Sequence, residues 1–228
     1  MKRFLLCFVF YAFLFLSCTS KLTLDNLKYT VYENVEKNNS GDDEYSIRYP
    51  EFEEYDVLND EVQELVSYAN SVITEFRKIN ADESLEENFF VFLDFDMLKV
   101  TNDYISVVFL VHTYFGGAHP NTELYTVNYN YKTDKIVNIE DILNSKNSNW
   151  LKLLSEYCIK TLDKRNQEDD DFSSDLDWIK SGAGENVENF SAFQVEKDGV
   201  IIFFQHYQVG PYSSGMPNVK VPFSIFKK

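Results

Sequence analysis

Cysteine, histidine and basic side chains are all scarce in this chain of 228 residues, which has three Cys, three His, and 21 Lys plus Arg against 37 Asp plus Glu. Lys2 and Arg3 are the only charged residues among the first 18, so the remainder carries a formal −18. A body this acidic is unsuited to neutralising a phosphate backbone, which argues against nucleic-acid binding and against adsorption to an anionic membrane surface; a cationic or neutral partner is favoured. The cysteines exclude a disulfide framework: Cys7 lies in an apolar leader, Cys18 ends it, and Cys158 stands alone. Stability must come from apolar burial, for which about 210 residues suffice. Cys158 sits in an apolar helical pattern and reads as a buried inert thiol rather than a nucleophile. The histidines match no H-x-x-x-H spacing, with His112 in a strand, His119 in a loop and His206 far along the chain, so neither a shared metal nor a cofactor is expected. There is no G-x-S-x-G, and the acidic run 168–171 lacks the spaced D-x-D-x-D-G pattern of a calcium loop. A glycosidase-type carboxylate pair cannot be recognised among so many acids.

Long apolar runs are also lacking. The longest, residues 4–16, would rise only ~20 Å as a helix against a hydrocarbon core of ~30 Å, which reads as export rather than a membrane span. Residues 1–17 therefore read as a signal peptide. Ser17 directly before Cys18 resembles a bacterial lipoprotein processing site, in a relaxed form with Phe15 where the common pattern has Leu. The resemblance implies that Cys18 is lipidated and becomes the mature N-terminus. Thr19 and Ser20 then imply export beyond an inner membrane, to the outer membrane on its periplasmic or surface face. The short polar stretch 18–26 reads as a tether.

Two alternating strands follow at 28–35 and 45–49. From 58 to 79 the apolar residues fall at Leu58, Val62, Leu65, Val66, Ala69, Val72, Ile73, Phe76 and Ile79, the stripe of an amphipathic helix that packs on a sheet. Asn59 or Asp56 is its candidate cap. Segments 89–98 and 104–115, separated by Thr101-Asn102-Asp103, read as a central hairpin that Gly116-Gly117 breaks. Strands at 122–131 and 136–137, a helical turn at 139–143, a second main helix at 150–162 capped by Ser148, and a short helix at 175–180 come next. Strands at 190–196 and 200–205, joined by Asp198-Gly199, close the series. The expected fold is α+β, a curved antiparallel sheet packed by two main amphipathic helices.

Two stretches are specific enough to name a family. Thr113-Tyr114-Phe115-Gly116-Gly117-Ala118-His119-Pro120-Asn121, with the Lys132-Thr133-Asp134-Lys135 turn and Ile139-Glu140-Asp141-Ile142-Leu143 after it, resembles the "GGAH" opening of bacterial DUF3298 domains. Phe203-Phe204-Gln205-His206-Tyr207-Gln208-Val209-Gly210-Pro211-Tyr212-Ser213-Ser214-Gly215-Met216-Pro217 is similar to the closing motif of the same domain. Residues 27–112 resemble in layout the DUF4163 (PdaC/RsiV-like) half that usually precedes it, leaving 113–228 as the DUF3298-like region. The resemblance implies an α+β envelope domain known in two settings, the lysozyme-binding extracellular part of an anti-sigma factor and the N-terminal module of a peptidoglycan deacetylase. In the second, catalysis belongs to a separate downstream domain. No counterpart of that domain or of a cytoplasmic sigma-binding segment is read here, so the expectation is recognition without catalysis.

The candidate ligand-binding residues are Tyr114, Gly116, Gly117, His119, Asn121, His206, Tyr207 and Tyr212, all in or beside the two motifs. Aromatic faces pack on sugar rings and form protein hot spots, and amides and hydroxyls orient a ligand. The competing reading is that these aromatics close the sheet and lie in the core. Gly116-Gly117 reads either as an anion nest or as a pair taking positive φ between strands. The expected partner is a lysozyme-like cationic wall hydrolase, steered by the acidic surplus, or peptidoglycan itself. A peptidoglycan-modifying hydrolase near His119 and His206, and a structural envelope component, are the alternatives.

Overall fold

A computed structural model of the chain describes residues 16–24, 26–37, 43–80, 90–168 and 172–227. Of the readings above, the leader up to residue 15, the first residue of the strand expected at 89–98 and residues 169–171 of the acidic run lie outside the described residues.

The first seven strands form one sheet in the order in which they occur in the chain: β1 (Leu16–Leu24), β2 (Leu27–Lys37), β3 (Asp43–Phe52), β4 (Phe90–Val100), β5 (Tyr104–Tyr114), β6 (Asn121–Asn130) and β7 (Lys135–Ile136). Adjacent strands are antiparallel except β3 and β4, which run parallel. Helix α1 (Asp56–Asn80) causes that exception: a helix between two strands carries the chain back to the end at which the first strand began, whereas a tight turn reverses it. Leu58, Val62, Val66, Ala69 and Ile73 of α1 are buried against Val91, Leu93, Phe95, Ile105, Val107, Phe109 and Val111 of β4 and β5. Tyr55, not Asn59, precedes the helix, its carbonyl accepting the Asn59 N–H at 3.0 Å. The Asn59 amide instead bonds both backbone groups of Phe52, pinning α1 to the end of β3.

The second half builds another layer pair. Helices α2 (Ile139–Leu143), α3 (Trp150–Glu168) and α4 (Leu176–Gly182) cover one face of a three-stranded antiparallel sheet made of β8 (Phe193–Glu196), β9 (Gly199–Phe203) and β10 (Asn218–Pro222), ordered β10-β9-β8. Leu154, Cys158 and Leu162 of α3 share that core with Val200, Ile202, Val219 and Val221. The other face of the small sheet meets the large one through Ile201, Phe203, Val108 and Leu124. The layers thus run α1, large sheet, small sheet, α3, and β5 is covered on both sides, which is why Ile105 to Phe109 are all buried without alternation.

A polar seam joins the sheets. The outer edge of β8 would bury backbone groups without partners, at about 1–3 kcal/mol each. Side chains from the face of the large sheet serve them: Val195 N–H donates to Ser106 Oγ, Phe193 N–H to Thr126 Oγ1, and the Asn128 amide donates to the Phe193 carbonyl.

The α+β class stands, while several of its details are corrected. There are two sheets, one with a parallel pair, and each main helix packs a different sheet. Residues 187–190 form a 3-10 turn, so the strand expected at 190–196 begins at Phe193; strand β10, unread in Val219-Lys220-Val221, is the partner that draws β9 away from the large sheet. The stretch 18–26 is largely strand, since β1 pairs with β2 along its length and Cys18 lies opposite Glu33. Leu153 N–H bonds Asn149 O, which makes Asn149 rather than Ser148 the residue before α3. The divide at 112/113 falls within β5, a strand paired on both sides, so the two regions share one sheet.

Candidate functional site

β5 ends at Tyr114, and the chain turns back through residues 115–120 into β6. Gly116 and Gly117 hold φ of 86° and 112°, so the pair serves the turn, as its conformational reading requires. Tyr114 Oη donates to the Gly117 carbonyl at 3.0 Å. His119 Nδ1 lies 2.9 Å from the Pro120 carbonyl. A carbonyl only accepts, so Nδ1 carries the proton and Nε2 of the neutral ring is an acceptor; Tyr207 Oη reaches it at 3.5 Å.

The second motif meets this loop from the other half of the chain. The Tyr212 ring stacks on His119, with centroids 3.9 Å apart and planes 23° apart, and on His206, at 4.2 Å and 17°. Two rings that close cannot share one face of a third, so Tyr212 is sandwiched between the imidazoles. Its hydroxyl donates to the Pro120 carbonyl at 2.9 Å, and Tyr207 lies tilted beside it at 5.8 Å. Burial holds the pKa of His206 below the ordinary histidine value, as does the nearby His119 imidazole, against an opposing backbone hydrogen bond to Tyr212. Its Nδ1 is buried and has no hydrogen-bond partner.

The second loop is anchored deeply. Gln205 brackets Leu124 of β6 with its side-chain amide. Gln208 accepts from the Gln205 N–H and donates to the Gly182 and Asn189 carbonyls. Trp178 Nε1 donates to the Tyr207 carbonyl, and Ser174 Oγ to that of Val209. This rigging keeps Tyr207 at φ 64°, unusual for a bulky residue, and leaves the residue 52% exposed. Phe115 is exposed as well.

Of the eight residues singled out from sequence, His119, His206, Tyr207 and Tyr212 come together, while Tyr114, Gly116 and Gly117 shape the loop that carries His119. Asn121 points its amide to Glu123 at 3.4 Å and takes no part in the stack. His112 bonds Thr122 Oγ1 across the sheet, its pKa lowered by burial against the pull of Asp94. Sequence reasoning missed Gln205, Gln208 and Trp178. The two glutamines flanking His206-Tyr207 were the available signal, because an amide can stand in for a strand's backbone.

The segments 113–121 and 203–219 contain no Asp, Glu, Lys or Arg, in a chain that is 25% charged. The surface they build is an uncharged set of stacked rings whose hydroxyl and imidazole edges are held in place by hydrogen bonds within the two loops, suited to packing on a neutral ring. Among the described residues no group of three or more His, Cys, Asp or Glu converges as a metal site.

Residues 36–122 match the family described as deacetylase PdaC, and residues 140–224 match DUF3298, a protein family of unknown function. The loop carrying His119, read from sequence as the DUF3298 opening, lies inside the first match, so the stack joins the two matched regions. The chain is 26% identical over 187 residues to the peptidoglycan-N-acetylmuramic acid deacetylase PdaC of Bacillus subtilis, with 80% of this chain covered but only 38% of that protein's length. A crystal structure of a DUF3298 family protein from Pseudomonas aeruginosa shares the fold with TM-score 0.60 at 14% identity, covering 93% of this chain and 91% of that one. One from Bacteroides fragilis does so with TM-score 0.54 at 15% identity, covering 93% and 90%. Residues 36–122 are thus similar to the PdaC family and residues 140–224 to the DUF3298 family.

Proposed function

We propose that this chain is a non-catalytic binding protein of the bacterial cell envelope that takes the glycan of peptidoglycan on the surface formed by His119, Tyr207, Tyr212 and His206. The observation that carries this reading is the charge-free, partly exposed ring stack standing out of a strongly acidic body. Sugar rings pack their C–H faces on aromatic planes, and fixed hydroxyl and imidazole edges can select N-acetyl and hydroxyl groups. The deacetylase relative acts on a glycan of this kind, which supports the ligand class. Envelope location rests on lipidation of Cys18, which is exposed; processing there would start the strand at the lipid with almost no spacer.

The hydrolase alternative draws support from the two imidazoles on one tyrosine. A lysozyme-like cationic partner draws support from the acidic surplus, which the stack itself does not share. Calorimetric titration of the full chain with peptidoglycan glycan strands at ~50 and ~150 mM salt distinguishes the three, since screening acts on charge and not on ring packing. Saturable binding insensitive to salt and weakened at least tenfold in His119→Ala and Tyr207→Ala is the expected result. Acetate or reducing ends released by the wild type would favour the hydrolase. Saturable one-to-one binding of a c-type lysozyme that survives the higher salt, with no glycan binding, would favour the lysozyme-like partner and sink the glycan reading.

A further inference from the structure

At the end of β5 opposite the ring stack, the turn at 101–103 borders a groove of about 860 Å³. Lys99, Lys132 and Lys197 line it, contributed by β4, the β6–β7 turn and the β8–β9 turn. No acid occurs among its nine described lining residues, although acids outnumber bases 37 to 21 in the chain. A smaller cavity of about 280 Å³ shares Thr101, Asn102 and Lys197 but is of mixed charge, lined also by Lys146, Asp103 and Glu196. Lys99 has a counter-ion, Glu196, at 3.2 Å. The Lys132 ammonium lies 5.1 Å from the centre of the Tyr131 ring, and Lys197 has no ion pair among the described residues.

From this convergence we infer that the groove is a binding site for a phosphate-bearing anion. Ammonium groups drawn together from distant parts of the sequence repel one another, and a multiply charged group between them offsets that cost. Lysines act as point charges that can gather around one phosphate, whereas carboxylates are matched by the two-pronged arginine fork, which is missing from the described lining. Leu24, Leu98 and Val100 add an apolar wall beside the charges, which fits a phosphate carried on an apolar body as well as a free one. The site reverses locally the acidic character of the whole chain and is separate from the glycan surface.

The test is calorimetric titration of the full chain with inorganic pyrophosphate, together with co-sedimentation on phosphatidylglycerol and on phosphatidylcholine vesicles, in ~50 mM salt, where screening is modest. Lys132→Ala/Lys197→Ala is compared with Lys152→Ala/Lys160→Ala on α3, which makes the same change in net charge away from the groove; thermal melts confirm that both fold. Saturable pyrophosphate binding, weakened at least tenfold in the groove variant and unchanged in the α3 variant, is expected. If pyrophosphate also removes the excess of binding to phosphatidylglycerol over phosphatidylcholine, the source is a lipid headgroup; if no such excess exists, it is a soluble phosphate. Equal loss in both variants, no saturable binding to either probe, or succinate binding as tightly as pyrophosphate overturns the inference.

Discussion

The side-chain amide of Gln205 lies along the backbone of Leu124, accepting its N–H at 3.0 Å and donating to its carbonyl at 2.5 Å. β7 is only two residues long and pairs with Tyr129 and Asn130, so β6 has an open edge at Leu124. Gln205 closes that edge as a strand residue would, and the next residue in the chain is His206. One side chain therefore sets both the end of the small sheet and the position of the ring stack.

Replacing Gln205 by Leu removes the amide and keeps the bulk. We expect a loss of about 1–3 kcal/mol, the cost of leaving partly buried polar groups unmade, read as a lower urea midpoint. Glycan binding should weaken with it, because His206 and Tyr207 lose their anchor. Unchanged stability and binding would show that the bracket is incidental.

Gly182 and Gly117 should respond differently to alanine. A Cβ on Gly182 would lie 1.8 Å from the Gln208 carbonyl oxygen, so the loop must move; a loss of about 1–3 kcal/mol or more is expected, as for overpacking elsewhere. At Gly117 nothing lies within 4 Å and only the φ of +112° resists a side chain, at about 1–3 kcal/mol for a strained backbone. Thermal melts should show both losses, but only Gly182→Ala should disturb the Trp178 fluorescence, through Gln208 and the adjoining Tyr207 carbonyl.

Stability should fall on acidification through the histidine range. The folded pKa values of His206 and His112 are lowered, chiefly by burial, so the unfolded chain takes up their protons first. Their contribution is complete above the ordinary histidine value of about 6.5 and is lost as pH falls from there through the folded values. Melting temperatures between pH 8 and pH 5 should decline, and the slope should be shallower in His206→Gln. An identical slope in that variant would remove His206 from the account.

Cys158 should be inert in the fold. It is fully buried in the α3 core and its thiol pKa is pushed up to about 12 by burial, so almost no thiolate forms at neutral pH. Alkylation with iodoacetamide, mapped by mass spectrometry, should label it only after denaturant is added. Labelling at the rate of an exposed thiol in native buffer would contradict this packing.

How much was legible varied with the range of the interaction. The α1 stripe from Leu58 to Ile73 was readable because a helix's periodicity repeats within its own residues. The hairpin of β4 and β5 was readable because its turn is local. The parallel pairing of β3 with β4, the departure of β9 to pair with β10, and the use of Asn59 to hold Phe52 depend on partners that no nearby pattern specifies.

The sequence by itself determined the amphipathic helix, most strand positions, the buried lone Cys158, the acidic body and two motifs without charge. Only the tertiary structure decided that those motifs share one site. Tyr207 and His119 are 88 residues apart, and they meet because the open edge of β6 needed the Gln205 amide and the uncovered edge of β8 needed Ser106, Thr126 and Asn128. Unmet hydrogen-bonding groups are costly to bury wherever their partners lie in the chain, and their satisfaction brought the two halves into register.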